Sequence, residues 1–360
     1  MAKIKTNLKG RFILLTRGSP LALVQAKRVQ NTCQHYFPGL YFEIKVVKTT
    51  GDKLQKASLA HVNEVLPTSK GLFTKELEQE LLSGEGVMAV HSLKDLPTDL
   101  PEGLTLGAVL RRADVRDVII YRSEELAKGL DSQVKEWIPG MPRFRGFKPG
   151  LRLIDLPLGA VIATSSTRRG EQIRHLRPDI RIVPIRGNVG TRLNKLKLQP
   201  EIDATLLAAA GLERLDFHLF PDGHFTAPPE HRKNLEGIRG SLLSLEEMLP
   251  CVGQGAIGVE IREGDPAAEE LCRAILHPNT ALCVSAEREF LRAMGGGCQS
   301  PVGAYARIEG HKLCLEVVSF RGNTPQRLVL TGKLSESEAL GREAAQRILE
   351  AEECYKNENS

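Results

Sequence analysis

Residues 12–37 read FILLTRGSPLALVQAKRVQNTCQHYF, and this segment sets the architecture of the chain. The apolar run Phe12–Thr16 predicts a buried strand, and the apolar residues spaced along residues 21–37 predict a helix. Ser19 is a good N-cap and Pro20 a good first helical residue, so the strand passes into the helix through a short turn. This unit predicts an α/β fold with parallel strands.

The same alternation continues toward the C-terminus. Strands are expected at residues 41–48, 86–91, 161–164, 180–185 and 204–209, and helices at residues 73–82, 167–176 and 191–198. After about Pro266 the pattern changes to two helices, a glycine loop and alternating strands such as Lys312–Ser319 and Arg327–Leu330. This change predicts a smaller third domain with an open antiparallel sheet.

Length and composition are those of an ordinary globular protein. At about 150 residues per domain, the 360 residues predict two or three domains. Hydrophobic residues make up 41% and charged residues 26%, which excludes a disordered or collagen-like chain. Seven cysteines without C-x-x-C spacing argue against a disulfide framework. Because no apolar run approaches a membrane span and no signal peptide is evident, we expect a cytoplasmic protein.

The positive charge is concentrated in one segment. The chain has 49 Lys and Arg against 44 Asp and Glu, a net charge of +5. Thr164–Arg192 alone carries seven Arg, no Lys and two acids, so it accounts for the whole excess. Since no aromatic run accompanies it, we interpret this segment as a local anion site and not as a nucleic-acid surface.

Four of these arginines lie near predicted strand ends. Arg168 and Arg169 follow the polar turn Thr164–Thr167, Arg186 ends the next strand, and Arg192 opens the next helix. Ligands of open α/β sheets bind at the carboxyl ends of strands, and helix N-termini attract anions. Because arginine binds planar carboxylates or phosphates through paired hydrogen bonds, the ligand is expected to carry several negative charges.

The first half of the chain repeats this arrangement with Arg17 and Ser19, which follow the first strand. The anion site is therefore expected to draw on strand ends in both halves of the chain. Three other arginines of the basic segment are interpreted as solvated helix residues, namely Arg174, Arg177 and Arg181.

Another polar group follows the strand that ends at His91. The sequence HSLKDLP places Asp95 beside Lys94. Ser92 and Asp95 also match a capping box, although Pro97 disfavours a helix that begins there. A carboxylate among arginines can stabilise a developing cation or move a proton. From these residues alone, catalysis and simple ion pairing both remain open.

Two glycine-rich segments suggest different roles. Gly253–Gly258 matches G-x-G-x-x-G, but Pro250 precedes it and a strand follows it, so we exclude a dinucleotide site and interpret it as a crossing between domains. Gly295–Gly297 precedes Cys298 in a loop. Cys298 is either buried as a small apolar side chain or exposed as a thiol that can form a covalent bond, and both interpretations remain open. No P-loop, hydrolase motif or metal-ligand spacing is present, and no metal site is expected.

Together these motifs resemble the porphobilinogen deaminase (hydroxymethylbilane synthase) family. They occur in family order between residue 11 and about residue 307, and the ordered set is far more specific than any single motif. The matching segments are Thr16–Ala22, Lys70–Phe73, Ala89–Asp95, Thr164–Arg169, Arg186–Arg192, Ala209–Leu212, Val252–Ala256 and Gly296–Cys298.

The resemblance implies an α/β fold of two periplasmic-binding-protein-like (type II) lobes with crossing hinges, plus a small α+β C-terminal domain. Domain 1 would comprise residues 1–112 and 243–272, domain 2 residues 113–242, and domain 3 residues 273–360. The family also implies a monomer that binds neither nucleic acid nor a membrane.

The resemblance further implies a transferase of tetrapyrrole and haem biosynthesis. A dipyrromethane cofactor would be thioether-linked to Cys298, four porphobilinogen molecules would be joined to it head to tail with loss of ammonia, and water would release hydroxymethylbilane. Asp95 would be the catalytic carboxylate, and Lys70 would belong to a lid. Acetate and propionate groups would be held by Arg17, Lys94, Arg168, Arg169, Arg186, Arg192 and Arg214, with polar contacts from Ser19, Ser166 and Asn188.

Three regions are longer than the family pattern, namely residues 52–70, 124–150 and 217–240. The second contains basic residues that form either an extra lid or a solvated loop, and we favour the loop for Arg143, Arg145 and Lys148.

Two other functions compete with the transferase. A non-catalytic two-lobed receptor for a polyanionic small molecule would share the fold, because fold alone does not determine function. Cys298 discriminates, since a receptor has no use for a covalently attached dipyrrole. Phosphate or RNA binding by the arginines is the third hypothesis, and it predicts strong salt dependence.

Overall fold

The computed structural model describes residues 3–50, 74–134, 138, 140–297, 300–322 and 324–358. It divides into two compact units, one of residues 1–113 and 251–360, the other of residues 114–250. The chain therefore passes between the units twice, as expected for lobes with crossing hinges.

The described strands are β1 (Arg11–Arg17), β2 (Tyr41–Val47), β3 (Met88–Ser92), β4 (Leu104–Val109), β5 (Asp117–Arg122), β6 (Val161–Ala163), β7 (Arg181–Val183), β8 (Ala204–Ala208), β9 (His218–Leu219), β10 (Phe225–Thr226), β11 (Ile238–Leu242), β12 (Ile257–Arg262), β13 (Val302–Glu309), β14 (Lys312–Ser319) and β15 (Gln326–Lys333). The described helices are α1 (Pro20–Tyr36), α2 (Lys75–Leu82), α3 (Glu124–Asp131), α4 (Thr167–Leu176), α5 (Val189–Leu198), α6 (Ala209–Arg214), α7 (Pro229–Leu235), α8 (Pro266–Ile275), α9 (Pro278–Ala293) and α10 (Ser337–Glu358).

Lobe 1, defined here as residues 3–113 with 251–276, is built on a five-stranded sheet of order β2-β1-β3-β12-β4. β1 pairs in parallel with β2 and β3, while β12 lies antiparallel between β3 and β4. Helix α1 begins as predicted, because Ser19 Oγ accepts a hydrogen bond from Ala22 N (3.3 Å) and Pro20 is the first helical residue. Apolar side chains of α1 and α8 form one core with the sheet, including Val29 and Leu271.

Lobe 2, residues 114–250, repeats this arrangement with the order β11-β5-β8-β6-β7. β6 is parallel to β7 and β8, and β5 is antiparallel to β8 and β11. In each lobe, three parallel strands are thus followed by an antiparallel strand that the chain enters just after passing between the units. Leu243 and Met248 are buried in the core of lobe 2, so residues 243–250, which the sequence assigned to domain 1, pack here with lobe 2.

The C-terminal domain, residues 277–358, belongs to the same compact unit as lobe 1. Its antiparallel sheet β13-β14-β15 packs against α9 and α10 through a separate apolar core. The predicted strand Lys312–Ser319 matches β14 at both ends. Helix α8, which the predicted boundary at residue 272 divides, packs on the core of lobe 1 as far as Ile275.

Two of the enlarged regions belong to lobe 2. In the region 124–150, Arg145 Nε donates to the buried Asp203 Oδ1 (2.7 Å), and Phe147 N donates to Arg122 O (2.8 Å). The expectation of a merely solvated loop is therefore wrong for Arg145. The region 217–240 contributes the hairpin β9–β10, helix α7 and the start of β11. The remaining enlarged region, residues 52–70, lies outside the described residues.

Within the described ranges, no helix is both long and apolar enough to cross a membrane. The same ranges contain no group of three or more His, Cys, Asp or Glu side chains placed to hold a metal ion. The six cysteines that the structure describes are all free.

Candidate active site

Asp95 lies on a short turn at the end of β3. Leu93–Asp95 form one 3₁₀ turn, closed by a hydrogen bond from Leu96 N to Leu93 O (3.1 Å). Leu93 and Leu96 are buried, whereas Asp95 between them is exposed. Burial of the two leucines fixes the turn and leaves the carboxylate outside the core.

The capping-box interpretation of this turn is wrong. Ser92 makes no side-chain hydrogen bond to the turn. Its hydroxyl instead accepts from Gln25 Nε2 (2.9 Å) and lies 3.0 Å from Gln25 Oε1, to which it can donate. The amide of Gln25 therefore ties helix α1 to the end of β3, immediately before Asp95.

The segment Gly253–Gly258 packs against the same turn. Leu93 N donates to Ala256 O (3.1 Å). A Cβ at Gly258 would lie 2.8 Å from Leu93 Cδ1, and one at Gly253, where φ is +70°, would lie 3.1 Å from Leu93 Cγ. The glycines thus allow the backbone to approach the turn closely. The chain continues from Ala256 into strand β12 and not into a helix, in agreement with the exclusion of a dinucleotide site.

A small cavity of 60 Å³ opens beside the turn. Its walls include Asp95, Arg17, Ser19, Gln25 and His91. Because Ser19 caps α1, the positive end of that helix's dipole also lies at this cavity. An acid and a cationic surface therefore share one space within lobe 1.

A buried pair of titratable groups adjoins this cavity. His91 Nε2 lies 3.1 Å from Glu260 Oε2, and both side chains are almost fully buried. Burial raises the pKa of Glu78 on α2, and the charge of Glu260 raises it further. His91, Glu260 and Glu78 thus form one buried polar cluster that joins β3, β12 and α2.

In lobe 2, Arg168 and Arg169 bind one buried carboxylate. Arg168 Nη2 lies 2.8 Å from Asp117 Oδ2, and Arg169 Nη2 lies 2.6 Å from Asp117 Oδ1. Their Nη1 groups donate to Leu249 O (2.7 Å) and Leu206 O (3.0 Å). Burial alone would raise the pKa of Asp117, but the two guanidiniums outweigh it and hold that pKa well below its usual range.

One carboxylate does not use all the hydrogen-bonding capacity of these arginines. The Nε atoms of Arg168 and Arg169 are buried without a hydrogen-bond partner among the residues that the structure describes. Burial lowers the pKa of the nearby Arg192, and the like charge of Arg169 lowers it further. Unused buried donors beside mutually repelling cations favour an anionic ligand.

Three of the predicted polar ligands are helix N-caps. Ser19 caps α1, Ser166 Oγ accepts from Arg169 N (3.4 Å) to cap α4, and Asn188 Oδ1 accepts from Thr191 N (2.9 Å) to cap α5. Each cap lies where a strand has just ended, so three helix N-termini are placed at carboxyl ends of strands. Such N-termini favour negative charge.

The remaining predicted cations differ in their exposure. Arg17, Lys94 and Arg192 are partly exposed, and Arg186 is exposed. Arg214 is buried at the end of α6. Lys70 and Cys298 lie outside the described residues. On either side of Cys298, Gly297 N donates to Ser300 Oγ (3.0 Å) and Ser300 N donates to Gly297 O (2.9 Å).

One arginine that the sequence suggested was solvated is instead buried. Arg177 Nη1 donates to three backbone carbonyls of one turn, those of Leu153, Ile154 and Leu156, at 2.8–3.1 Å. It also pairs with Asp179 (2.7 Å) and lowers the pKa of that carboxyl to about 2. Arg177 therefore fixes the loop before β6 and takes no part in the site.

Sequence reasoning missed Asp117 and Glu260. Asp117 begins β5, of which all six residues are buried, and Glu260 lies inside the buried strand β12. An acid in a run of buried apolar residues requires a partner. The sequence therefore indicated that both acids have a partner. It could not identify the partner, because the contact joins residues distant in sequence.

Comparison with known proteins covers nearly the whole chain. The family model described as "Porphobilinogen deaminase, dipyromethane cofactor binding domain" matches residues 12–270, and "Porphobilinogen deaminase, C-terminal domain" matches residues 281–350. A porphobilinogen deaminase of Chloroherpeton thalassium is 37% identical over 346 residues, covering 96% of this chain and 92% of that protein. A porphobilinogen deaminase of Desulforudis audaxviator is 41% identical over 345 residues, covering 95% of this chain and 96% of that protein.

The likeness to solved structures is much weaker. Full-length BenM aligns with a TM-score of 0.38 at 12% identity, over 82% of this chain and 72% of that one, and nothing about activity follows from it. The two family models together span the Asp95 turn, the arginine cluster and most of the C-terminal domain. This chain belongs to the porphobilinogen deaminase family.

Proposed function

We propose that this protein is a hydroxymethylbilane synthase. It joins four porphobilinogen molecules head to tail with loss of ammonia and then releases hydroxymethylbilane by hydrolysis. The observation that carries this proposal is the exposed carboxylate of Asp95 in the same cavity as Arg17. Family membership supports it, because the relatives that match almost the whole chain are named porphobilinogen deaminase.

The residues present suit a dipyrromethane cofactor bound through Cys298. Such a group carries four carboxylates, and the buried Nε–H groups of Arg168 and Arg169 have no partner among the described residues. We propose that Arg168, Arg169 and Arg192 hold those carboxylates. When bound, the cofactor supplies the pyrrole carbon to which the first substrate is joined.

Asp95 is proposed as the catalytic residue. Departure of ammonia breaks a C–N bond of porphobilinogen and leaves an azafulvenium cation, whose charge a nearby carboxylate stabilises. The free ring carbon of the pyrrole at the chain end then forms a C–C bond to the methylene carbon of this cation, and that ring carbon loses its proton. Asp95 is placed to accept that proton because its side chain projects from the turn into the cavity. The cation and the carboxylate attract each other more strongly where the cavity excludes water.

The other cations are proposed to bind substrate and the growing chain. Each added pyrrole brings one acetate and one propionate, and a guanidinium can hold a carboxylate through two parallel hydrogen bonds. Arg17 and Lys94 lie beside Asp95, while Arg186 and Arg214 belong to lobe 2. Ser19 in lobe 1, and Ser166 and Asn188 in lobe 2, cap helices whose N-termini favour the anionic groups of the ligand. Lys70 is proposed as a lid contact on sequence alone.

The test is the intact mass of the purified protein. We expect a mass above that of the sequence by one dipyrromethane, a colour reaction with an acidic aldehyde reagent, and formation of tetrapyrrole from porphobilinogen. Cys298→Ala should remove the added mass, the colour and the turnover. Cys354→Ala, at an exposed cysteine of α10, is the matched control and should retain all three.

The same experiment distinguishes the receptor hypothesis. Wild-type protein at the bare sequence mass, with no tetrapyrrole formed, would favour a non-catalytic binding protein. Family membership does not support that alternative. We further propose a cytoplasmic monomer, which sedimentation of the purified protein would test.

A further inference from the structure

Two arginines of helix α9 hold the segment that follows the proposed catalytic residue. Arg288 Nη1 donates to Leu96 O (3.2 Å), and its Nη2 donates to Pro97 O (2.7 Å) and Thr98 O (3.3 Å). Arg292 Nη2 also donates to Thr98 O (3.1 Å). These contacts fall on the three residues directly after Asp95.

The carbonyls of this segment need such donors. Residues 96–98 lie between the 3₁₀ turn and β4 and belong to neither, so their oxygens have no sheet partner there. Buried or half-buried carbonyls require hydrogen bonds, and a guanidinium presents five N–H groups in a fixed fork. One side chain, Arg288, can therefore hold three consecutive carbonyls at once.

Apolar packing makes only part of this attachment. Leu96 and Val109 belong to one apolar cluster with Val284 of α9, and a cleft of 570 Å³ lined by residues of both segments opens beside that cluster. Arg288 and Arg292 both line that cleft. Across the open part, the hydrogen bonds of the two arginines connect the helix to the segment.

Helix α9 is itself fixed on both sides of Arg288. The preceding Glu287 is buried and accepts from Arg112 Nη2 (2.9 Å), Gly253 N (2.8 Å) and Ala306 N (2.8 Å). The following Glu289 accepts from Arg292 Nη1 (2.9 Å) and from Arg342 Nη1 of α10 (3.0 Å). A helix held in this way gives Arg288 a fixed base.

The same helix leads toward the proposed site of cofactor attachment. α9 ends at Ala293, and Met294 and Gly295–Gly297 connect it to Cys298. We propose that Arg288 is a positioning residue that couples helix α9 to the Asp95 turn and keeps the catalytic carboxylate in place while the chain is elongated. This inference rests on the proposed function. It adds a residue of the C-terminal domain that makes no contact with the cavity beside Asp95.

The test compares Arg288→Ala with Arg347→Ala, which removes an exposed arginine paired with Glu343 on α10. Arg288→Ala should retain the mass of the bound cofactor and lower kcat about 10- to 100-fold, because small displacements of a catalytic group have effects of that size. KM should change less than about threefold. Hydrogen exchange in the peptide that contains residues 93–99 should increase. Arg347→Ala should match the wild type in every respect.

Arg288→Lys keeps the proposal testable if the alanine variant does not fold. A lysine can donate to some of the three carbonyls that Arg288 holds, so the kcat of this variant should lie between those of the wild type and the alanine variant. Its melting temperature should equal that of the wild type. The proposal is overturned if a folded Arg288 variant has the wild-type kcat, or if KM rises while kcat is unchanged. Wild-type protein that lacks the cofactor mass would overturn the proposed function itself, which is a different result.

Discussion

Lobe 1 and lobe 2 share one strand order but bury different ionic pairs in it. In both, the antiparallel fourth strand carries a buried acid, Glu260 on β12 and Asp117 on β5. Glu260 pairs with a histidine, and the acid that remains accessible nearby is Asp95. Asp117 pairs with two arginines, and the charges that remain are cations. The buried carboxylate thus has a different partner in each lobe: an acid is accessible beside Arg17 in lobe 1, and the charges near Asp117 in lobe 2 are cations.

The difference is consistent with the proposed placement of the catalytic carboxylate in lobe 1. In lobe 1 the accessible carboxylate is held on a turn by buried leucines and is available to a cationic species. In lobe 2 a single carboxylate only partly neutralises Arg168 and Arg169, and Arg192 lies near enough to be affected by Arg169. Lobe 2 is thus suited to anionic groups, and we propose that Asp95 of lobe 1 stabilises the positive charge that develops on the substrate.

The largest expected effect is that of Asp95→Ala. It should lower turnover about 10²- to 10³-fold, because removing one group that stabilises transition-state charge costs about that much. Since Asp95 is exposed, the melting temperature should stay within about 2 °C of wild type. Tetrapyrrole formation and thermal unfolding measure the two quantities. Glu102→Gln, at another exposed acid of lobe 1, should change neither. Wild-type turnover by Asp95→Ala would remove the assignment of reaction to lobe 1.

Asp117→Asn should have the largest effect on stability. It leaves two buried guanidiniums without their carboxylate, and loss of one partner of a buried ion pair costs about 3–5 kcal/mol. Chemical denaturation measures the change in the free energy of unfolding. Asp155→Asn, which removes a half-exposed partner of Arg152, should cost less than about 1 kcal/mol. If the two variants are equally stable, Asp117 does not hold the arginines of lobe 2.

Gly258→Ala should disturb lobe 1 at the turn that carries Asp95. The added Cβ would lie 2.8 Å from Leu93 Cδ1 in a closely packed site, so a cost of about 1–3 kcal/mol and a reduced kcat are expected. Gly39→Ala is the control in the same lobe, because a Cβ there meets nothing within 4 Å. A Gly258→Ala protein with wild-type kcat would show that close packing on Leu93 does not hold Asp95 in place.

The smallest effect is a change in how stability depends on pH. The pKa of Asp117 is lower in the folded chain than its value of about 3.9 in an unfolded one. Its contribution is therefore fully present above about pH 4 and is lost as pH falls toward the folded-state value. The stability difference between the wild type and Asp117→Asn should narrow between about pH 5 and pH 2. A difference that is constant across this range would contradict the pairing.

Helix caps, helices and strands that depend on residues close together in the sequence could be predicted from local patterns. Ser19 was predicted as the cap of α1, residues 167–176 as a helix, and Lys312–Ser319 as a strand, and all three are confirmed. Pro97 was expected to disfavour a helix that begins near Asp95, and only one 3₁₀ turn forms there.

Partners distant in sequence could not be predicted. Ser92 matched a local cap, yet it bonds Gln25, which is 67 residues away. Arg145 was expected in a solvated loop, yet it pairs with Asp203. The glycines at 253 and 258 were recognised as a motif, but only the structure shows that the motif makes room for Leu93. In each case the sheet order determines the contact, and that order is a property of the whole fold.

The position of the antiparallel strands also has a consequence for biosynthesis. All five strands of the main sheet of lobe 2 come from one continuous stretch that is complete at Leu242. The sheet of lobe 1 lacks β12, which lies between β3 and β4, until residues 257–262 have been made. During translation from the N-terminus, the lobe that begins first must therefore wait with a gap in its sheet, and the lobe that begins second can fold before it.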